Sequence, residues 1–140
     1  MHYKRNMNLT ADIVSRLAEI ASAKKEHLLC FSLDSASRVI NTHQVFIGTL
    51  NQVESHPREI FCEAINDHAA KIVIAHNHPY GEPEPSPNDI EVTQRLISCG
   101  RIIGIPLIDH IVVAGKKHFS LAENGYMDDY TPKPLMEYLR

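Results

Sequence analysis

Apolar residues near the start of the chain recur with the spacing of an amphipathic helix. The helix is predicted to begin at Thr10, whose hydroxyl can cap it, and to end near Lys24-Lys25, because basic side chains suit a helix C-terminus. Its apolar face would consist of Ile13, Leu17, Ile20 and Ala21. Residues 1–8 lack this pattern and are expected to form a loose arm.

Two further helices are predicted in the middle of the chain. One covers residues 58–68, where Pro57 can occupy the first helical position. Its inward face would consist of Ile60, Phe61, Ala64 and Ile65. The other helix covers residues 88–99, and Gly100 is expected to cap its C-terminus.

Runs of β-branched and other apolar residues predict the strands. Residues 71–75 are the clearest strand, because the run is β-branched and central, and residues 28–33 form a mostly apolar run that predicts a buried strand. Residues 39–50 would supply one or two strands, residues 105–113 another long one, and residues 118–121 a short one. Helices that alternate with strands in this way indicate a mixed α/β or α+β layer fold.

Length and composition are typical of a single globular domain. The 140 residues are predicted to form one core over about 9–123, followed by a surface tail over 124–140. The chain has 17 acidic and 14 basic residues, which does not favour a broad nucleic-acid-binding surface. Cys30, Cys62 and Cys99 lack Cys-x-x-Cys spacing and are expected to be buried, reduced thiols. Because the sequence also lacks a signal-peptide pattern and an apolar run of membrane-spanning length, we expect a cytoplasmic protein.

The segment that follows the central predicted strand carries the most informative polar residues. His76 and His78 lie at the end of this strand, and both point to the same face because strand side chains alternate. Asp89 follows at the beginning of the third predicted helix. Two histidines and one carboxylate are the protein ligands of an open, catalytic zinc site, in which water takes the fourth position. The sequence therefore predicts a metallohydrolase.

Ser86 and Asp89 also fit a structural interpretation. The segment Ser86-Pro87-Asn88-Asp89 matches the Ser-x-x-acid pattern of a helix capping box. The two interpretations are compatible, because a carboxylate that is fixed in the first helical turn can still offer an oxygen to a metal. The Ser86 hydroxyl can likewise cap the helix or donate to a developing oxyanion.

A zinc hydrolase also needs a general base. The candidates are Glu26, directly before the first predicted strand, and Glu59 and Glu63 in the second helix, and spacing does not choose among them. Asp109-His110 forms a further acid–imidazole pair on a later strand. This pair can orient a ligand histidine or simply hold the end of the strand.

Taken together, these residues resemble a known family. His76-x-His78-Pro79, followed by Gly81 and Ser86-x-x-Asp89, looks like the JAMM motif of JAB/MPN metalloproteases. Over about residues 26–125 the sequence resembles the bacterial RadC family, including the segments Gly48-Thr49-Leu50, His56-Pro57-Arg58-Glu59-Ile60 and Leu107-Ile108-Asp109-His110-Ile111. RadC proteins often carry an N-terminal helical DNA-binding-type region, and we expect this chain to be a short, stand-alone relative without it.

The resemblance implies both a fold and a set of residue roles. The fold would be the cytidine-deaminase-like α/β/α sandwich with a mixed β-sheet. Zn²⁺ would be held by His76, His78 and Asp89, and Ser86 would help to stabilise the oxyanion. The catalytic base would be Glu26, with Glu59 as the second choice. The implied activity is a peptidase or isopeptidase that acts on a peptide or protein substrate.

Two functions of other classes stay open. The domain can be a non-catalytic binding module, because RadC-like proteins carry a DNA-repair label, although the net charge of −3 does not support direct contact with nucleic acid. It can also act in assembly, since JAB/MPN relatives work in pairs or complexes, and we expect a homodimer. A zinc deaminase is disfavoured, because its His-x-Glu and Pro-Cys-x-x-Cys patterns do not occur in the sequence.

Overall fold

The computed structural model describes residues 7–48 and 56–127. These residues form three helices and five strands in the order α1 (Met7–Arg16), β1 (Glu26–Leu33), β2 (Val39–Gly48), α2 (Pro57–Asn66), β3 (Lys71–Asn77), α3 (Pro87–Ile103), β4 (Leu107–Ala114) and β5 (Lys117–Ser120). In this part of the chain, no helix has both the length and the apolar character needed to span a membrane.

The strands form one mixed sheet in the order β2-β1-β3-β4-β5. β3 and β4 run parallel, and the other neighbouring pairs are antiparallel. Parallel strands need a crossover connection, which α3 provides here. The central strand β3 is almost completely buried, in agreement with its β-branched sequence.

Helices cover both faces of the sheet, as the alternating side chains of β1 demonstrate. Leu28 and Cys30 point to one face and pack in a cluster with residues of α2 and α3. Leu29 and Phe31 point to the other face and pack with residues of α1. These three layers and the mixed sheet confirm the predicted α/β sandwich.

The first helix is shorter than its apolar spacing predicts. Helix α1 ends at Arg16, and the following residues continue as tight turns, in which Ile20 N–H donates to the carbonyl of Leu17 at 3.0 Å. Leu17 still reaches the core, so the apolar pattern persists although the helix does not. The prediction that Thr10 caps this helix was wrong: Thr10 lies inside it, and its hydroxyl donates to Glu123 at 3.1 Å.

The end of the third helix also differs from the prediction. Helix α3 continues past Gly100 to Ile103, and Gly104 is its cap, with a left-handed φ of 89°. Gly100 lies inside the helix, where a Cβ atom would come within 2.6 Å of the Ile105 carbonyl oxygen. This glycine is therefore needed for a close backbone approach, and the actual cap donates its N–H to the Gly100 carbonyl.

Two predicted burials were wrong. Ile65 is 53% exposed, because the buried stripe of α2 is confined to Ile60, Phe61 and Ala64. Cys62 is exposed on the same helix, whereas Cys30 is fully buried and Cys99 is partly buried, and all three are free thiols. Burial is the main cause that raises the pKa of Cys30 to about 12, so this thiol is inert.

The predicted strands are all present, with small shifts at their ends. Residues 39–48 form one strand, and the remainder of the predicted 39–50 segment lies outside the described residues. Residues 1–6 of the predicted arm and residues 128–140 of the predicted tail also lie outside them. The prediction of a loose arm was wrong for Met7 and Asn8, which already belong to α1, and residues 124–127 of the tail form turns.

Candidate metal centre

His76 lies near the end of β3 and is 1% exposed. It pairs with Leu28 across the antiparallel β1–β3 ladder, so its side chain shares the face that packs against α2 and α3. His78 comes two residues later on the same face, and its backbone N–H continues the sheet by donating to the Val113 carbonyl at 2.8 Å. The alternation that the sequence predicts thus brings both imidazoles under the N-terminus of α3.

Asp89 is the third residue of α3 and is only 3% exposed. Its backbone N–H donates to Ser86 Oγ at 3.1 Å, and its Oδ2 accepts the Ser86 N–H at 2.8 Å. The predicted capping box is therefore present. The same carboxylate faces both histidines, with Oδ2 at 3.1 Å from His78 Nε2 and Oδ1 at 3.3 Å from His76 Nε2.

These three side chains form a compact triangle that fits a metal ion. The Nε2 atoms of His76 and His78 are 3.1 Å apart, and one ligand atom from each of the three residues lies within 4.8 Å of the other two. A tetrahedral zinc ion with bonds of about 2.0–2.1 Å separates its ligand atoms by roughly 3.4 Å, close to these distances. Among the described residues, this is the one group of three such side chains that can hold a metal ion.

The protonation of the triangle also favours a cation at its centre. His78 Nδ1 lies 2.7 Å from the Glu82 carbonyl oxygen, which can only accept, so Nδ1 carries a proton and Nε2 is the nitrogen that can take up a second proton or bind a metal ion. A hydrogen bond to Asp89 is the main cause that raises the pKa of His78 above its usual value. Burial opposes the ionisation of Asp89, but the imidazoles of His76 and His78 beside it outweigh burial and hold the pKa of this carboxyl far below its usual range. An ionised carboxylate between two imidazole nitrogens is a donor set that attracts a proton or a metal ion.

Behind His76, the structure separates the Asp109-His110 pair into two different roles. His110 is fully buried, with Nε2 at 2.7 Å from His76 Nδ1. Burial is the main cause that lowers the pKa of His110 well below its usual value. Asp109 instead accepts hydrogen bonds from Ser120 Oγ at 2.7 Å and from the Ala122 N–H at 3.0 Å, which tie β4 to the end of β5 and to the segment after it.

Thr93, which the sequence analysis does not single out, completes this arrangement. Its Oγ1 lies 2.6 Å from His110 Nδ1 and donates to the Asp89 carbonyl oxygen at 2.7 Å. Thr93 lies one helical turn after Asp89, so both residues are on the same side of α3. The four-residue spacing between Asp89 and Thr93 was the only sign in the sequence that Thr93 lies near the candidate metal site. This spacing indicates a role for Thr93 only once the position of His110 is known.

Glu26 begins β1 beside the metal-ligand triangle. Because Leu28 pairs with His76, the position two residues before Leu28 lies opposite His78, and Glu26 shares its face of the sheet. After the dominant Asp89 hydrogen bond, the charge of Glu26 contributes to the raised pKa of His78. The position of Glu26 is therefore compatible with the role of a base, although its role stays a prediction.

Glu59, the second choice for the base, lies elsewhere. It is in the first turn of α2, its side chain is 60% exposed, and it lies 3.5 Å from Arg58. Glu63, on the same helix, lies 3.7 Å from His43. Neither of these contacts involves the metal-ligand triangle.

Asn77, between the two histidines, holds the backbone on both sides of Glu26. Its side chain points to the opposite face of the sheet and is fully buried. Its Oδ1 accepts the His27 N–H at 2.6 Å, and its Nδ2 donates to the Lys25 carbonyl at 3.0 Å. Sequence reasoning did not detect this role, because it depends on the pairing of two segments that are 50 residues apart.

A cavity of about 480 Å³ opens beside His78 and Glu26. It is lined by Lys24, Lys25, Glu26, Gly48, His78, Pro79, Tyr80 and Gly81. A volume of this order can hold a short peptide segment or a small molecule. Of the three residues of the triangle, His78 lines this cavity, together with Glu26.

Comparisons with known proteins agree with this geometry. Residues 7–126 match the family described as the RadC-like JAB domain. A UPF0758 protein of Bacillus pumilus (strain SAFR-032) is 50% identical over 103 residues, which cover 74% of this chain and 46% of that protein. UPF0758 proteins of Bacillus cereus (strain AH187) and Bacillus thuringiensis subsp. konkukian are each 47% identical over 111 residues, covering 79% of this chain and 49% of theirs. The chain spans about half the length of the curated relatives it matches.

Proposed function

Since the chain belongs to the family of RadC-like JAB domains, we propose that it is a zinc-dependent metallohydrolase, specifically a peptidase or isopeptidase. The observation that carries the proposal is the triangle of His76, His78 and Asp89, with ligand-atom contacts of 3.1–3.3 Å, beside the cavity that Glu26 lines. A non-catalytic binding role would not need this donor set at the edge of a cavity.

Each residue of the site would have a distinct task. Bound zinc would supply Lewis acidity, which lowers the pKa of a water toward ~7 and polarises the scissile carbonyl. Glu26 would accept the proton of the attacking water and return it to the leaving amine. Ser86 uses an Oγ lone pair for the helix cap, so its O–H would donate to the carbonyl oxygen as negative charge develops there.

The substrate would be a peptide or protein segment that lies in the cavity. Lys24, Lys25 and Tyr80 line its wall together with Glu26, so a bound chain would pass charged and aromatic side chains before it reaches His78.

Metal content is the first test of this proposal. Protein that is purified without a chelator or a histidine tag should contain about one zinc per chain by plasma mass spectrometry, because the donor set binds one ion. His78→Ala should lose the zinc. His118→Ala is the matched control, because His118 is an exposed histidine on β5, and it should keep the zinc.

Hydrolysis is the second test. Zinc-loaded protein should cleave members of a panel of peptide and isopeptide substrates, and the activity should disappear when a chelator removes the metal. Zinc-loaded protein that cleaves none of them would contradict the peptidase assignment while leaving the metal site in place.

A further inference from the structure

Two of the three metal ligands are connected behind the site by a chain of hydrogen bonds within the protein. The chain runs from His76 through His110 and Thr93 to the backbone carbonyl of Asp89, with successive distances of 2.7, 2.6 and 2.7 Å. His76, Thr93 and His110 are each no more than 1% exposed, so water does not compete for these groups.

The direction of every hydrogen bond in this chain follows from its last member. The Asp89 carbonyl can only accept, so the single proton of the Thr93 hydroxyl is donated to it. Thr93 Oγ1 must then accept from His110, which places a proton on His110 Nδ1. A neutral imidazole with a proton on Nδ1 has a lone pair on Nε2, and His110 Nε2 therefore accepts from His76 Nδ1–H.

The consequence for the metal site lies at the far nitrogen of His76. With its proton on Nδ1, His76 presents the lone pair of Nε2 to the triangle, as a metal ligand must. The opposite tautomer would put a hydrogen on Nε2, 3.1 Å from His78 Nε2 and 3.3 Å from Asp89 Oδ1, where it would occupy the metal position.

We propose that Thr93 and His110 are positioning residues of the metal centre: they fix His76 in the metal-binding tautomer and link it through the protein to Asp89. Thr93 has the central part, because its hydroxyl joins the α3 backbone at one ligand to the imidazole behind the other. The inference rests on the metal site of the proposed function but not on its peptidase activity.

Removal of one hydroxyl tests the inference. Thr93→Val keeps the side-chain shape but leaves His110 Nδ1–H without its acceptor, and zinc should bind about 10–100-fold more weakly. Thr93→Ser keeps the hydroxyl and should restore affinity close to the original. Thr42→Val on the exposed edge strand β2 is the control for the substitution itself and should bind zinc normally. The dissociation constants are measured by competition with a chromophoric zinc chelator.

A spectroscopic measurement on the unaltered protein does not depend on how the variants fold. Long-range ¹H–¹⁵N spectra of the zinc-loaded protein distinguish the two tautomers of each histidine. We expect His110 to carry its proton on Nδ1, and His76 to carry one on Nδ1 while Nε2 binds zinc. A proton on Nε2 of His110 would reverse the chain and overturn the proposal.

The possible failures are distinguishable. If Thr93→Val binds zinc as tightly as Thr93→Ser, the positioning role is wrong while the metal site and its activity stand. If the unaltered protein binds zinc but hydrolyses no peptide, the proposed function is wrong and the positioning role stands. If the unaltered protein binds no zinc, both are overturned.

Discussion

Asp89 has both a structural and a chemical task with one carboxylate. Oδ2 closes the capping box with Ser86 N–H, and the same group faces His76 and His78. The cap fixes the carboxylate before any metal arrives, which reduces the entropy that binding must overcome. Two neighbouring residues at the end of β3 likewise have tasks on opposite faces of the sheet. His76 belongs to the group that could hold a metal ion, and Asn77 hydrogen-bonds to the backbone on both sides of Glu26.

At the residue scale, substitution of Glu26 separates metal binding from catalysis. Glu26→Gln keeps the size of the side chain but cannot accept a proton, so zinc content should be unchanged while hydrolysis falls about 10²–10⁴-fold. Glu59→Gln is the matched control, because Glu59 is exposed on α2 beside Arg58, and its activity should equal that of the unaltered protein. The measurement is kcat/KM on the best substrate of the panel, beside metal content.

The two variants also decide between the alternative bases. Full activity of Glu26→Gln would exclude Glu26, and a selective loss in Glu59→Gln would transfer the role to that residue. Loss of zinc from Glu26→Gln would instead make Glu26 part of the metal site.

At the scale of the elements, much of the fold could be predicted from local sequence. Strands such as β3 are recognisable because Ile and Val are enriched in β-strands. The capping box is recognisable because its two partners are only three residues apart in the sequence. The ends of α1 and α3 were predicted wrongly, because the roles of Thr10 and Gly100 depend on distant or tertiary neighbours: Thr10 lies inside α1 and donates to Glu123, and Gly100 lies inside α3 against Ile105. The proximity of His76, His78 and Asp89 could likewise be predicted from local spacing, whereas the contacts of Thr93 and Asn77 could not.

Gly100 gives a stability prediction for α3. Ala inside a helix is ordinarily more favourable than Gly by roughly 0.5–1 kcal/mol. Here the added Cβ would lie 2.6 Å from the Ile105 carbonyl oxygen. This oxygen belongs to the backbone, which cannot move aside as easily as the end of a flexible side chain. The cost of this clash should exceed the gain in helix propensity, so we expect Gly100→Ala to lower the free energy of unfolding by about 1–3 kcal/mol. Urea denaturation measures this difference.

Gly81→Ala is the control for this substitution. A Cβ at Gly81 has no neighbouring heavy atom within 4 Å, so the free energy of unfolding should change by less than about 0.5 kcal/mol. Gly100→Ala protein that is as stable as Gly81→Ala protein would mean that the chain between α3 and β4 moves aside without cost.

At the scale of the whole molecule, topology explains why the site is where it is. β3, α3 and β4 are consecutive, and the helix crosses over between the two parallel strands. The N-terminus of α3 therefore meets the carboxyl end of β3, which is the usual position of a site in such a unit. His76 and His78 come from this strand end, Asp89 from the start of the helix, and His110 from the next strand. The antiparallel neighbour β1 then adds Glu26 from outside the crossover unit.

If His76, His78 and Asp89 bind zinc as proposed, this arrangement would couple metal binding to the stability of the whole domain. Zinc that binds only the folded state at about 100 times its dissociation constant adds about 2.7 kcal/mol, which for a domain of this size raises Tm by roughly 10 °C. The stability that zinc adds depends on pH, because the metal must displace the proton of His78. The pKa of His78 is raised mainly by its hydrogen bond to Asp89.

The stability contributed at His78 changes with pH in opposite directions in the metal-free and the zinc-loaded protein. In the metal-free protein the raised pKa of His78 contributes stability that is fully present below about pH 6.5 and is lost as the pH rises through the raised value. In the zinc-loaded protein the gain from zinc is lost as the pH falls through the same value. Asp89, with its lowered pKa, stays ionised throughout and adds no slope in this window.

The difference in Tm between zinc-loaded and chelator-treated protein should therefore grow from about pH 5.5 to pH 8, as measured by differential scanning calorimetry. His118→Ala should follow the same curve, because it leaves the triangle intact, and His78→Ala should show no zinc-dependent difference at any pH. A zinc effect that is constant over this range would mean that the metal does not compete with the proton on His78. The ligand set would then have to be found among other residues of the chain.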